Sequence, residues 1–87
     1  MNTYIDASET TWERFWRLLD AGDPECTAYV YRVDVRGCPV RPFWLRAAAD
    51  HSLVDDIQAR GGGRFRVIVR RGRHIVFAGY LAFAART

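Results

Sequence analysis

Two pairs of alternating apolar and polar segments constrain the fold of this chain more than any other feature of its sequence. The first pair spans residues 27–36 and 40–47, and the second spans residues 64–70 and 74–84. Within each pair, a short glycine-containing stretch separates the two segments. Alternation with a period of two residues is typical of a half-buried β-strand, and short glycine-containing breaks are typical of hairpin turns. The sequence therefore predicts two β-hairpins.

The first hairpin is predicted to reverse direction at residues 37–39. A register that pairs Val35 with Val40 predicts two further cross-strand pairs, Tyr31–Trp44 and Asp34–Arg41. Aromatic pairs and pairs of opposite charge both stabilise neighbouring strands. Pro42 has no N–H to donate to a neighbouring strand, so its strand is predicted to lie at an edge of the sheet.

The second hairpin is predicted to divide its side chains between two faces. With a three-residue loop at residues 71–73, Val69 lies opposite Ile75 and Val67 lies opposite Phe77. One face is then apolar and carries Phe65, Val67, Val69, Ile75, Phe77, Leu81 and Phe83. The other face carries Arg64, Arg66, Ile68, Arg70, His74, Val76, Ala78 and Tyr80. We expect the apolar face to form the core, because side chains alternate strictly along a strand.

A first helix is predicted over residues 10–20. Its apolar stripe follows the i, i+3, i+4, i+7 spacing of one helix face and consists of Trp12, Phe15, Trp16 and Leu19. We interpret Trp12 and Trp16 as core residues, and Trp44 likewise. Thr10 and Glu13 have the spacing of a capping box, and Gly22 is the expected C-terminal glycine.

A second helix is predicted over residues 52–60, with Ser52 as its N-cap and Leu53, Val54 and Ile57 as its apolar residues. Residues 61–63, all glycine, then reverse the chain into the second hairpin. The order α-β-β-α-β-β predicts a single α+β domain over residues 1–87, in which helices cover a four-stranded antiparallel sheet. The order of the strands within the sheet does not follow from the sequence.

The positive charge of the chain is carried by arginine alone. Thirteen arginines and ten acidic residues give a formal net charge of +3, and the sequence contains no lysine. Arginine is favoured where planar contacts to carboxylates or phosphates are made. A GC-rich genome also supplies arginine, alanine and glycine codons, so both explanations stay open.

Cys26 and Cys38 flank the first predicted strand. At about 3.3 Å per residue, a straight strand holds its ends too far apart for a disulfide, which needs Cα atoms within about 7 Å. Both cysteines are therefore predicted to be free thiols, as in a reducing compartment. The sequence shows no signal-peptide pattern and no apolar run of about 18 residues, so we expect a cytoplasmic protein without membrane contact.

The sequence contains no residue pattern that is typical of an enzyme. His51 and His74 lie in different predicted elements, and neither has metal-ligand spacing with a cysteine. Asp55 and Asp56 are adjacent on a helix, so they point in different directions. Residues 61–63 follow a helix and precede a strand, which is the reverse of the order in a phosphate-binding loop. We predict no catalytic residues, no metal and no cofactor.

An arginine cluster on the second hairpin is the predicted partner-binding site. It consists of Arg64, Arg66, Arg70, Arg71 and Arg73, together with His74 and Tyr80. Guanidinium groups interleaved with an aromatic ring on an open sheet suit phosphates and stacked bases. Such arginines can equally lie over neighbouring acids or protect an exposed sheet from edge pairing. Because this face of the hairpin offers only one aromatic ring, a nucleic-acid partner is the alternative to a protein partner.

Residues 53–79 resemble part of a known group of proteins. The helix end, the glycine triplet and the segment Arg-Phe-Arg-Val-Ile-Val-Arg-Arg-Gly-Arg, followed by Ile-Val-Phe-Ala-Gly, are similar to the helix, glycine-rich turn and terminal hairpin of small uncharacterised phage and mobile-element proteins. That resemblance implies an accessory binding protein. Small phage inhibitors of host defence, including anti-CRISPR proteins, resemble this chain in size and in having a single domain.

These observations lead to one functional interpretation and two alternatives. The chain is interpreted as a non-enzymatic binding module that contacts a host or phage protein. The first alternative is a nucleic-acid-binding domain that uses the same arginines. The second is a structural subunit that forms a homo-oligomer, such as a homodimer.

Overall fold

Two helices and four strands follow one another in the predicted order in a computed structural model, which describes residues 10–86 apart from the side chains of residues 41–44. The elements are α1 (Thr11–Ala21), β1 (Cys26–Val33), β2 (Pro39–Ala48), α2 (Ser52–Ala59), β3 (Gly63–Arg71) and β4 (His74–Phe83). The predicted α+β class is therefore confirmed.

The strands form one antiparallel sheet in the order β2-β1-β3-β4. The two hairpins are joined through β1 and β3, which pair over seven residues of each strand. β2 and β4 are consequently the edge strands. The edge position predicted from Pro42 is confirmed, because Pro42 lies in β2.

Both helices cover the same face of the sheet and form the core with it. α1 packs on β4, and α2 packs on β2 and β4. The ring centroid of Phe15 lies 5.5 Å from that of Phe77 and 6.0 Å from that of Phe83. The other fully buried apolar side chains include Leu19, Val30, Leu53, Ile57, Phe65, Val67 and Val69. Burial of each such side chain stabilises the fold by roughly 1.5–3 kcal/mol.

The interpretation of Trp12 and Trp16 as core residues is wrong. Each is 39% exposed, whereas Phe15 and Leu19 are fully buried at the centre of the same helix face. The two indole rings stack on each other with centroids 6.0 Å apart. The apolar stripe of α1 is wider than the area of contact between α1 and the sheet, so Trp12 and Trp16 lie at the edge of that contact. The side chain of Trp44 is outside the described residues.

The two helices begin in different ways. Thr10 Oγ1 accepts a hydrogen bond from the N–H of Glu13, and the Thr10 N–H donates to Glu13 Oε1, which confirms the capping box. Gly22 ends α1 as predicted, and its backbone has the left-handed conformation. The predicted N-cap of α2 is wrong, because Ser52 is the first helical residue and His51 is the N-cap residue. The Ser52 N–H donates a hydrogen bond to Asp50 Oδ1 at 3.0 Å.

The register of the first hairpin is confirmed in part. Tyr31 pairs with Trp44 as predicted, but the register then shifts and Val33 pairs with Pro39. The Asp34 side chain accepts the N–H groups of Arg36 and Cys38 at 2.8 and 3.0 Å, which ends β1 in a tight turn. The predicted pairs Val35–Val40 and Asp34–Arg41 are therefore wrong.

The second hairpin differs from the prediction in its loop and at the start of β4, where Val76, predicted on the arginine face, lies on the helix side near Arg14 and Arg17. Arg71 pairs with His74, so the loop contains two residues rather than three. A bulge beside Val69 moves Ile75 away from the apolar face, where we predicted it, and leaves it 62% exposed. The rest of the predicted apolar face is confirmed, since at most 5% is exposed in each of Phe65, Val67, Val69, Phe77, Leu81 and Phe83.

Both cysteines are free thiols, as predicted. Cys26 is buried and Cys38 is exposed. Burial raises the pKa of the Cys26 thiol above its ordinary value. Neither helix in the described part of the chain is long and apolar enough to cross a membrane.

Gly62 lies where the chain after β4 crosses the end of α2. The Arg86 N–H donates a hydrogen bond to the carbonyl of Gln58 at 3.2 Å, which holds the crossing segment in place. A Cβ atom on Gly62 would lie 2.5 Å from the Phe83 carbonyl oxygen and 2.7 Å from the Ala85 nitrogen. With φ at +65°, the position also disfavours any residue other than glycine.

We predict that Gly62→Ala destabilises the protein more than Gly72→Ala does. Gly72 has nearly the same φ of +63°, but a Cβ atom there would have no other heavy atom within 4 Å beyond its chain neighbours. The left-handed conformation costs both variants about 1–2 kcal/mol. The backbone contact adds roughly 1–3 kcal/mol for Gly62 alone. Urea denaturation of both variants measures the difference, and equal losses of unfolding free energy would contradict the close crossing.

Candidate functional site

The sheet face opposite the helices is exposed, and we call it the open face. Strand alternation places here the side chains that point away from the core, and the hairpin loop adds one more. The open face comprises Tyr29, Tyr31, Arg46, Arg64, Arg66, Ile68, Arg70, Arg73, Ile75 and Tyr80. All of these side chains are half-buried or exposed.

The pairing of β1 with β3 brings tyrosines of the first hairpin beside arginines of the second. Tyr31 is the register partner of Arg66, and Arg66 is in turn the partner of Tyr80 on β4. Tyr29 is the partner of Ile68 in the next row. Three tyrosines therefore share one surface with Arg64, Arg66 and Arg70 of β3, although the second hairpin alone contributes a single tyrosine.

Each of two tyrosine rings on the open face has two guanidinium groups beside it. The Arg66 and Arg64 guanidinium carbons lie 4.8 and 5.8 Å from the Tyr80 ring centroid. Those of Arg70 and Arg46 lie 5.9 and 6.0 Å from the Tyr29 ring centroid. Such contacts contribute about 0.5–1 kcal/mol at exposed sites. They orient the guanidiniums but leave their charge uncompensated.

The charged side chains that line the open face are all arginine side chains. None of the four strands contains an aspartate or a glutamate. Within the described residues, no carboxylate forms an ion pair with Arg46, Arg64, Arg66, Arg70 or Arg73. Like charges this close repel one another unless an anion binds between them. The face is therefore suited to a polyanion.

The turn between β1 and β2 lies against one end of the open face. A Cβ atom on Gly37 would lie 3.3 Å from the Tyr80 ring, and Gly37 has a φ of +85°. The turn is fixed by the hydrogen bonds to Asp34 described above. Its close approach limits the freedom of the Tyr80 ring, which is 45% exposed.

A shallow depression of about 440 Å³ lies towards the other end of the open face. Its lining consists of Tyr29, Tyr31, Ile68, Arg70, Arg73 and Ile75. This volume falls within the range of about 300–1,000 Å³ that is typical of small-molecule sites. The lining combines aromatic and aliphatic surface with two cations.

Five of the seven predicted site residues lie together on the open face: Arg64, Arg66, Arg70, Arg73 and Tyr80. Arg71 does not join them. Its Nε donates to Asp23 Oδ2 at 2.9 Å, and one of its terminal nitrogens lies 3.4 Å from Glu25 Oε1. His74 is the register partner of Arg71 and lies beside it at the end of the hairpin.

The sequence interpretation missed Tyr29, Tyr31, Arg46 and Ile75. The spacing of Tyr29 and Tyr31 at i and i+2 in a strand did indicate that they share a face. Their position beside the arginines depends on the order of the strands. Ile75 depends on the bulge in β4, which has no glycine at that point to mark it in the sequence.

No protein-family model, curated protein or solved structure matches the chain. Among the residues that the structure describes, no three histidine, cysteine, aspartate or glutamate side chains are grouped so that they could hold a metal ion.

We predict that the Asp23–Arg71 pair stabilises the fold above about pH 4. The Glu25 N–H and the Arg71 guanidinium both donate to the Asp23 carboxylate and hold its pKa below its ordinary value. A carboxylate with a lowered pKa contributes stability above its unfolded pKa of about 3.9, and that contribution is lost as the pH falls through its folded pKa. Wild type should therefore melt at a higher temperature than Asp23→Asn near pH 7, and the difference should shrink below pH 4. A difference that stays constant with pH would contradict this role.

Proposed function

We propose that this protein is a nucleic-acid-binding domain and that the open face is its binding surface. One observation carries the proposal: three tyrosines are interleaved with five arginines that have no carboxylate partner within the described residues. The strand order β2-β1-β3-β4 is what creates this combination.

The two side-chain types match the two parts of a nucleotide. A planar guanidinium binds phosphate oxygens through two parallel hydrogen bonds. A tyrosine ring offers a flat surface on which a base of any sequence can stack. The modest formal charge of the whole chain does not oppose this function, because all the acids lie outside the strands whereas five of the thirteen arginines lie on the open face.

The charge pattern favours a nucleic acid over a protein partner at the open face. The centres of protein–protein interfaces are depleted in charged residues, although tyrosine and arginine are both enriched there. Five guanidiniums of one sign would need a strongly acidic protein surface. A phosphate backbone supplies such a charge in every nucleotide.

A second surface favours contact with a protein. Trp12 and Trp16 are stacked and 39% exposed on α1, on the opposite side of the sheet from the open face. Exposed tryptophans are enriched in protein-binding hot spots. Contact with a host or phage protein, expected from the sequence, therefore remains a second candidate function that would use this surface. A homo-oligomer remains a prediction as well.

We predict that Arg70→Gln weakens nucleic-acid binding and that Arg71→Gln does not. The two residues are neighbours and their replacement removes the same charge. Arg70 lies on the open face, whereas Arg71 is paired with Asp23 and Glu25. Fluorescence anisotropy with a labelled single strand of about 12 nucleotides measures the affinities between roughly 50 and 200 mM salt. Each phosphate contact that is lost should reduce the slope of log K against log salt by about 0.7.

Thermal melting of both variants is the control for folding. Wild type that binds neither single-stranded nor double-stranded nucleic acid at low salt would overturn the proposed function. Equal weakening by both substitutions would show that overall charge, and not the open face, governs the binding. Binding that does not depend on salt would also contradict a phosphate contact.

A further inference from the structure

The depression on the open face combines the surfaces that a single unstacked base requires. Tyr29, Tyr31, Ile68 and Ile75 supply its aromatic and aliphatic lining, and Arg70 and Arg73 supply its charge. The Arg70 guanidinium carbon lies 5.9 Å from the Tyr29 ring centroid, so cation and ring are adjacent. In a nucleotide, the flat base likewise lies close to the anionic phosphate. The base can therefore contact the tyrosine ring while the phosphate contacts the guanidinium.

The bulge in β4 is a second, independent feature that builds this depression. It falls between the register pairs Val69–Phe77 and Arg70–Ile75, so β4 has one extra residue at this point. Phe77 stays in the core, and Ile75 is turned to the open face, where it is 62% exposed. Bulges interrupt the hydrogen-bond ladder and commonly re-aim a side chain next to a binding site.

An aromatic and aliphatic lining distinguishes single strands from duplexes. In a duplex the flat faces of the bases are covered by stacking, and the accessible surface consists mainly of phosphates, sugars and base edges. Only an unpaired base can be placed against a tyrosine ring. A surface that bound only phosphates would require the arginines of the open face, but it would not require the aromatic and aliphatic depression.

Resting on the proposed function, we propose that the depression binds one unpaired base of single-stranded nucleic acid against Tyr29, Ile68 and Ile75. Arg70 and Arg73 bind the phosphates that flank this base. The remaining guanidiniums follow the backbone of the strand across the open face towards Tyr80. Binding is therefore selective for single strands, with little dependence on base sequence.

A first experiment compares ligands of equal length, of which the duplex carries about twice the charge of each of the others because it has two phosphate backbones. Wild type is titrated with a single-stranded oligonucleotide, with the same sugar–phosphate strand without bases, with the duplex and with poly-glutamate. The single strand should bind at least about fivefold more tightly than the strand without bases and than the duplex, because one stacked base is worth at least that factor. RNA and DNA strands are both used, and selectivity with either sugar supports the proposal.

A second experiment uses neighbouring residues on opposite sides of the sheet. Ile75→Glu places a carboxylate in the depression, whereas Val76→Glu places the same charge on the helix side, near Arg14 and Arg17. Ile75→Glu should weaken single-strand binding at least about tenfold more than Val76→Glu does, as expected for the loss of a base and its phosphate. Tyr29→Leu should abolish the preference for the strand with bases. If Tyr29→Leu unfolds, the glutamate pair still decides, because Ile75 and Val76 are both exposed.

The outcomes separate this inference from the proposed function. Equal binding of the single strand, the base-free strand and the duplex, with Arg70→Gln still weakening all three, would overturn the base site and leave nucleic-acid binding intact. Equal effects of Ile75→Glu and Val76→Glu would also overturn the base site. If poly-glutamate binds as tightly as the single strand, or if no nucleic acid binds, both the base site and the proposed function are overturned.

Discussion

The antiparallel pairing of β1 with β3 is the interaction on which the rest of the structure depends. It is the only ladder in the described sheet that joins the two hairpins, and it places Val30 beside Val67 on the core side and Tyr31 beside Arg66 on the other. Without it, each hairpin would have to cover its own apolar face, and an isolated hairpin is marginally stable at best in water. The same pairing thus completes the core and creates the open face.

The two faces are coupled through strand alternation. Phe65, Val67 and Val69 are fully buried, and this fixes the register of β3 strongly. A slip by one residue would exchange every side chain between the faces, so Arg64, Arg66 and Arg70 are held outward by the burial of their neighbours. Stability therefore comes from one side of the sheet, and the other side is free to bind the ligand that we propose. Arg71 lies outside this arrangement because Asp23 and Glu25 bind it at the end of the strand.

Local patterns in the sequence predicted the individual helices and strands well, but they predicted the arrangement of the strands in the sheet less well. The capping box at Thr10, the end of α1 at Gly22 and the apolar face of the second hairpin follow from spacing within a few residues, and the structure confirms them. The order of the strands depends on contacts between residues more than thirty positions apart, such as Tyr31 with Arg66, which no local pattern contains. Two register changes were also missed: the one-residue bulge in β4 that turns Ile75 outward, and the three-residue shift between the pairs Tyr31–Trp44 and Val33–Pro39. For the same reason, five of the predicted site residues were found from the hairpin alone, whereas the tyrosines of β1 could not be placed beside them.

The most direct test of the central claim is an NMR titration of the folded protein with a single-stranded oligonucleotide, followed through the ring signals of tyrosine, the indole N–H signals of tryptophan and the Nε–H signals of arginine. If β1 and β3 together form the binding surface, the Tyr29 and Tyr80 rings and the Nε–H groups of Arg66 and Arg70 will shift together. Arg71 and the indoles of Trp12 and Trp16, which lie away from the open face, will change little. Shifts confined to Trp12, Trp16 and Arg71, with Tyr29 and Arg66 unchanged, would contradict the account.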